Sequence, residues 1–323
     1  MERYDRRKAQ REERRVQLAT ISVDGRAVCV AILNDGMMLN IARAAQDLRG
    51  PEGDALRAGS MQHLIEGGAR SLEALRGLVA EAEAGKHADA MAPANAPLLA
   101  PIPVPRKNVF CVGRNYAAHI AEGDRAQKQN VGVTEYPVFF TKPPTSIVPP
   151  DGDVLIFPSV SEAVDYEVEL AVVIGKSGRN IAKADAYDHV FGYTILNDIT
   201  ARDIQRRHGG QYFKGKGLDG SCPLGPSIVT ADAISDPHAL SIGLSVNGEQ
   251  RQNGNTSDMI FDIPTLIASV SEGLTLEPGD LIATGTPSGV GYAMEPPRFL
   301  KHGDTVVCEV SEIGTLRNPV RAV

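Results

Sequence analysis

Asp165-Tyr-Glu-Val-Glu-Leu-Ala-Val-Val-Ile-Gly175 is the stretch on which the reading of this chain turns. Leu170 to Ile174 is an unbroken apolar run, rich in β-branched residues and stopped by Gly175. Such a run predicts a strand buried on both faces. Its first half alternates, which puts Glu167 and Glu169 on one side and Val168 and Leu170 on the other. A second strand-like run, Val190 to Asn197, ends in Asp198. If the two strands pair, three carboxylates converge. At about 4 Å and an effective dielectric near 20, each like-charged pair costs roughly 4 kcal/mol, and three pairs approach roughly 12 kcal/mol. A divalent cation resolves that conflict, and an all-carboxylate shell suits Mg2+, Mn2+ or Ca2+ rather than zinc. Taken alone, a Glu-x-Glu is more often the wet face of an edge strand. The motifs around it reverse that preference.

The chain has 323 residues, enough for one large domain or two modest ones. A net charge of −7 argues against nucleic acid as a partner. No apolar run is long enough to span a membrane, and the N-terminus lacks the apolar core of a signal peptide. Cys29, Cys111, Cys222 and Cys308 lie far apart with no C-x-x-C spacing, which predicts reduced thiols and a cytoplasmic protein rather than a disulfide framework. With no Trp, any aromatic platform for a substrate uses Tyr or Phe.

Residues 1 to 16 are dominated by Arg, Lys, Glu and Gln and read as a short solvated helix or arm. Val16 to Ile32 holds two β-like runs around Asp24-Gly25, a hairpin signal. Met61 to Ala84 has helical spacing. Pro101-Ile-Pro-Val-Pro105 closes an Ala- and Pro-rich linker, which sets a boundary near residue 104. The expectation is a small α+β unit over 1–104, without a catalytic constellation, and a larger β-rich α+β unit over 105–323.

In the larger unit, Val109 to Val112 runs into Gly113-Arg-Asn-Tyr-Ala-Ala-His119-Ile-Ala-Glu122, with Asn115 placed to cap a helix from Tyr116. His119 and Glu122 share a face, either as a surface pair or as a base whose tautomer a carboxylate fixes. Gly123 to Glu135 is polar and aperiodic, a loop or a lid. Val138 to Lys142 is a strand ended by two prolines. After Asp198, Thr200-Ala-Arg-Asp203 reads as a Thr-capped helix start carrying Gln205 on its first turn. Lys216 sits in a glycine-flanked loop and is a candidate partner for an oxyanion or a substrate carboxylate. Gly285-Thr286-Pro-Ser-Gly289-Val-Gly291 is neither a P-loop nor a dinucleotide fingerprint, and its amides could make a concave anion site.

With these motifs in order, residues 105 to 320 resemble the fumarylacetoacetate hydrolase family. The resemblance rests on Gly113-Arg-Asn-Tyr-Ala-Ala-His, Glu167-Val-Glu169, Asn197-Asp-Ile-Thr-Ala-Arg-Asp-Ile-Gln205, Lys216-Gly-Leu-Asp with Cys-Pro-Leu-Gly-Pro226, and Thr284-Gly-Thr-Pro-Ser-Gly289. It implies a mixed β-sandwich roll, a homodimer, and Mg2+ or Mn2+, with Ca2+ as a crystal substitute, on Glu167, Glu169 and Asp198. It implies a water-activating dyad of His119 with Glu122, and Gln205, Lys216 and Thr286 against the substrate. Arg114 and Lys142 fall beside the motifs and are carried over as further substrate contacts. The implied substrates are 2-oxo or 2,4-dioxo acids. The expected reaction is hydrolytic C–C cleavage of an acylpyruvate through an enolate. The alternatives are decarboxylation or isomerisation of an oxaloacetate-like acid, isomerisation or hydration of a 2-oxo dienoate, and, remotely, a metal-binding module without turnover.

Overall fold

The computed structural model describes residues 15–323; the arm read over residues 1 to 16 lies, up to residue 14, outside the described residues. The Asp24-Gly25 signal does what its chemistry requires. Strands β1 (Gln17–Val23) and β2 (Arg26–Ile32) pair antiparallel with Val23 opposite Arg26. The two turn residues take φ of 50° and 75°, the left-handed region that a type I′ turn demands. Strand β3 (Met38–Asn40) adds to β2 and leads to α1 (Ile41–Ala44) and α2 (Gly50–Arg57). The single helix expected over Met61–Ala84 is two helices, α3 (Met61–Glu66) and α4 (Gly68–Glu83). The break falls at Gly68, whose φ is +63°, a turn conformation that interrupts the helical backbone.

Strand β4 (Leu98–Leu99) pairs with β1, so the Pro-rich linker is partly built into the sheet. The larger segment continues with β5 (Val109–Gly113), α5 (Ala117–Gln127), β6 (Val138–Lys142), β7 (Ile147–Val148), β8 (Val154–Ile156), β9 (Val164–Asp165), β10 (Val168–Ile174), β11 (Val190–Asn197) and β12 (Thr200–Ala201). Two short helices, α6 (Arg202–Arg207) and α7 (Phe213–Lys216), precede β13 (Cys222–Thr230). Then come β14 (Ser241–Val246), β15 (Glu249–Asn255), α8 (Ile263–Ser271), β16 (Leu281–Ala283), β17 (Thr305–Val310) and β18 (Gly314–Ala322). The main sheet runs β3-β2-β1-β13-β11-β10-β16-β5-β6, and a five-stranded sheet runs β15-β14-β17-β18-β8. Mixed sheets with a minority of helix make an α+β, β-rich fold, as expected. Position 104 does not divide the hydrogen bonding: β1 joins β13 through Leu18 opposite Ile228.

Strand β10 is buried on both faces, as its apolar run requires. Val168, Leu170 and Val172 pack into the core between the sheets, with Ile242 and Leu244 of β14 and Val306 of β17. Ala171 and Val173 face the other way, into a core shared with Leu18, Leu64 and Leu75 of the N-terminal segment. The strand is shorter than the quoted stretch. Asp165 belongs to β9, which pairs with β12, and Tyr166-Glu167 carries the chain across to β10. Glu167 is thereby freed from the ladder at the strand's mouth.

Candidate metal centre and its cavity

Antiparallel pairing of β10 with β11 sets Val168 opposite Asn197. The amide of Asp198 then donates to the Glu167 carbonyl at 2.8 Å, and the Asn197 side chain accepts from the Glu167 amide at 3.0 Å. Glu167, Glu169 and Asp198 are all buried, and a carboxylate oxygen from each lies within 4.8 Å of the others. The convergence expected from the two strands is present.

Its compensation is only partly the one expected. Three buried cations of the chain already stand against the acids. Lys142 is fully buried behind the triad and donates to Asp198 Oδ1 at 2.8 Å, to the Ile199 carbonyl at 3.0 Å and to the Lys216 carbonyl. Lys142, read from the sequence as a substrate contact, does not line the cavity: the end of β6 seats it beneath the triad, against Asp198. Lys216 is not on an open loop but on the last turn of α7, buried, with Nζ 2.7 Å from Glu167 Oε2 and 2.5 Å from Asp198 Oδ2. Arg202, which sequence reasoning passed over, gives Nη2 to Glu167 Oε1 at 2.6 Å and Nε to Asp165 Oδ2 at 2.9 Å.

Glu167 and Glu169 consequently differ. Burial alone raises the Glu167 pKa, but Arg202, Lys216 and His119 together outweigh it and hold the carboxyl well below its ordinary value. Burial raises Glu169 too, and Asp198 and Glu167 raise it further; Lys216 and the Gly285 amide do not offset this, and its pKa stands well above the ordinary value. Among the described residues its only hydrogen bond is from that amide, 2.7 Å from Oε2. A triad of oxygen donors with one carboxylate lacking a bonded cation fits a hard divalent ion. These residues could hold one, and it would replace the proton on Glu169.

The glycine turn after β16 binds anions, but the anions are the protein's own. Besides Gly285 on Glu169, Gly289 N–H donates to Glu122 Oε2 at 2.9 Å, and Gly291 and Tyr292 donate to Asp165 at 2.8 and 3.1 Å. Glu122 in turn lies 2.9 Å from His119 Nδ1. The pair is mostly buried, so it is not a solvated surface pair. Asp165 accepts from Arg202 and from three backbone amides. It opens the stretch quoted above, and its place beside Glu167 in the sequence was the available signal.

Two caps differ from expectation. Asn115 does not cap α5; it donates to the Phe261 and Thr284 carbonyls and accepts from the Phe261 amide, pinning the β5–α5 turn to two distant loops. Thr200 donates to the Asp198 carbonyl instead of capping α6. The polar segment from Gly123 is helical as far as Gln127. Beyond it, Asp124 accepts from the Val131 and Gly132 amides and from Arg114, which also reaches the Gly132 carbonyl.

A cavity of about 360 Å³ opens over this floor. Of the residues singled out from sequence, Arg114, His119, Glu167, Glu169, Gln205, Lys216 and Thr286 line it. Glu122, Lys142 and Asp198 stand behind that wall. Arg202, Arg206 and Tyr292 line it as well and were not foreseen, although Arg202 lies inside the motif that includes Asp198 and Gln205.

Residues 108–321 match the family model "Fumarylacetoacetate (FAA) hydrolase C-terminal". The chain is 53% identical to the oxaloacetate tautomerase YisK of Bacillus subtilis (strain 168) over 224 residues, 69% of this chain and 72% of that protein. Among solved structures it is similar to the fumarylacetoacetate hydrolase of Exiguobacterium antarcticum, with a TM-score of 0.75 and 38% identity, over 95% of this chain and 100% of that one. It is also similar to the 5-carboxymethyl-2-hydroxymuconate delta-isomerase of Mycobacterium smegmatis, with a TM-score of 0.69 and 34% identity, over 95% and 99% of the two chains. With a match of that length and a relative of that identity, the chain belongs to the fumarylacetoacetate hydrolase family.

Proposed function

We propose that this protein is a divalent-metal-dependent isomerase that interconverts the keto and enol forms of a 2-oxo acid of the oxaloacetate type. The observation that carries this reading is the placement of His119 on the same cavity wall system as Glu167 and Glu169, with its Nδ1 already held by Glu122. With the Nδ1 proton shared with that carboxylate, the Nε2 lone pair is the one left for chemistry. Keto–enol exchange asks for little else. A base takes a proton from the carbon next to the 2-oxo group, the oxygen gains one, and the steps reverse. A divalent ion, when bound by Glu167, Glu169 and Asp198, supplies Lewis-acid chemistry that acidifies that carbon. Glu122, fixed by the Gly289 amide, keeps the imidazole in its working tautomer. Lys216 and Gln205 face the substrate oxygens, and Arg114, whose buried Nε has no hydrogen-bond partner among the described residues, receives a carboxylate. Similarity to a tautomerase and to a delta-isomerase supports this reading over C–C hydrolysis.

Hydrolysis of a 2,4-dioxo acid is the second reading. The same dyad could work on water, and the likeness to a fumarylacetoacetate hydrolase favours it. One assay separates the two. With Mg2+ or Mn2+ present, the enol absorbance of oxaloacetate should decay faster with the protein than without it, and chelation should remove the acceleration. Pyruvate released from acylpyruvates, without acceleration of the oxaloacetate exchange, would reverse the choice.

A further inference from the structure

Two arginines sit over one tyrosine in the cavity wall, and only one of them is committed to the protein. Arg202 and Arg206 lie four positions apart on α6, so they share a face one turn apart. Both guanidinium groups approach the Tyr292 ring, at 4.3 Å and 5.4 Å from its centroid. Arg202 is neutralised by Glu167 and Asp165. Arg206 has no ion pair among the described residues, and its guanidinium lies over the Tyr292 ring. It is an exposed side chain in the wall of the cavity that holds the acidic triad. An unpaired guanidinium laid on a ring is more ordered than one hanging in solvent, and its fork suits a carboxylate.

Arg202 marks the floor, since it holds Glu167, and Arg206 shares the Tyr292 ring with it in the wall of the same cavity. We infer that Arg206 anchors the distal carboxylate of the substrate, so that the site selects 2-oxo diacids over 2-oxo monoacids. The inference rests on the 2-oxo acid reading above and names the substrate class within it. A monoacid with an apolar tail would leave Arg206 without a partner, whereas a diacid gives it a charge-assisted, two-point contact.

The test measures binding and turnover separately. Malate and lactate share the 2-hydroxy acid end and differ in the distal carboxylate. Calorimetry with each, on the Mn2+-loaded full chain, should give at least tenfold tighter binding of malate. In Arg206→Gln that preference should fall to about twofold or less. Arg206→Lys, which keeps the charge and loses the fork, should fall between. Arg207→Gln, a change of equal charge at an exposed neighbour outside the cavity wall, should keep the preference, which separates a local contact from bulk charge. A wild-type protein that binds the two acids equally or binds neither, or an Arg206→Gln protein that retains the preference, overturns the inference. A parallel assay compares oxaloacetate with phenylpyruvate as substrates for keto–enol exchange. If the wild type accelerates neither exchange while Arg206 still governs the malate preference, the proposed reaction falls and the diacid anchor stands. If oxaloacetate exchange is accelerated and Arg206→Gln leaves its ratio to phenylpyruvate within twofold, the anchor falls and the reaction stands.

Discussion

The floor and the rim of this cavity are built on opposite principles. On the floor, all four carboxylate oxygens of Glu167 and Asp198 accept from Lys142, Lys216 or Arg202, and every one of those side chains is buried. On the rim, Arg206 touches one ring, and Arg114 reaches a loop through a single carboxylate and one carbonyl. The difference teaches where specificity can change. A floor of interlocked charges tolerates no single loss, because each removal strands a buried partner. A rim of single contacts can be altered without unfolding the protein. On the proposed reading, one floor can therefore serve several reactions while the rim chooses among substrates.

The sharpest way to break the contrast is at Lys142. Lys142→Met removes the donor of Asp198 Oδ1 and of the Ile199 carbonyl, while the Lys216 carbonyl keeps the Ser221 hydroxyl, and breaking a buried ion pair from one side costs about 3–5 kcal/mol. Urea unfolding of the metal-free protein should show that loss, against less than about 0.5 kcal/mol for Arg206→Gln at the rim. A cost below about 1 kcal/mol for Lys142→Met would mean that the floor is not interlocked.

His119 tests the boundary between the two regions. His119→Ala should lower keto–enol exchange by about 10²-fold, the lower end of a positioned base's contribution. Glu122→Gln should lose less, since the imidazole remains. Metal affinity by calorimetry should stay within about twofold in both, because neither side chain belongs to the triad. Loss of metal binding in His119→Ala would show that the dyad supports the floor rather than the chemistry.

A pH series separates the two glutamates. Glu169 holds its proton in the fold above the ordinary carboxylate value of 4.5, so between that value and its raised pKa the folded state binds more protons than the unfolded state. Stability of the metal-free protein should then fall as pH rises through this window. Glu167, with its lowered pKa, works in the opposite sense: its contribution is complete above 4.5 and is lost as pH falls below it. Thermal unfolding followed from pH 4 to 8 should show the decline set in above 4.5. Saturating Mg2+ or the variant Glu169→Gln should flatten it. An unchanged decline in Glu169→Gln would assign it to another group.

The smallest effect is expected at Asp124. Its carboxylate accepts from the Val131 and Gly132 amides, and a net hydrogen bond contributes about 1 kcal/mol. Amide exchange at those two positions should be about fivefold faster in Asp124→Asn, with the floor unaffected. No change there would mean that the segment is held by Arg114 alone.

Much of the floor was legible in the order of residues. An apolar run of β-branched residues stopped by Gly175 reads as a buried strand, and a period of two sets Glu169 on its side of it, with Glu167 one residue before the strand begins. The turn at Asp24-Gly25 was legible for the same local reason, since few dipeptides accept two positive φ values in succession. What stayed hidden is everything that depends on which distant groups meet. Lys142 read as a substrate residue because its burial comes from the packing of β6 against β5 and from Asp198, 56 positions away. The glycine turn read as an open anion site because its occupants, Glu169, Glu122 and Asp165, lie more than a hundred residues earlier. The N-terminal segment read as a separate unit because nothing local announces that β1 joins β13. The sequence by itself determined the strands, the acids and the histidine, because period and side-chain chemistry are local properties. Which cations neutralise those acids, and which arginine stands without an ion pair among the described residues, depends on the folded arrangement. Charge pairing acts over a few ångströms in space, whatever the separation along the chain.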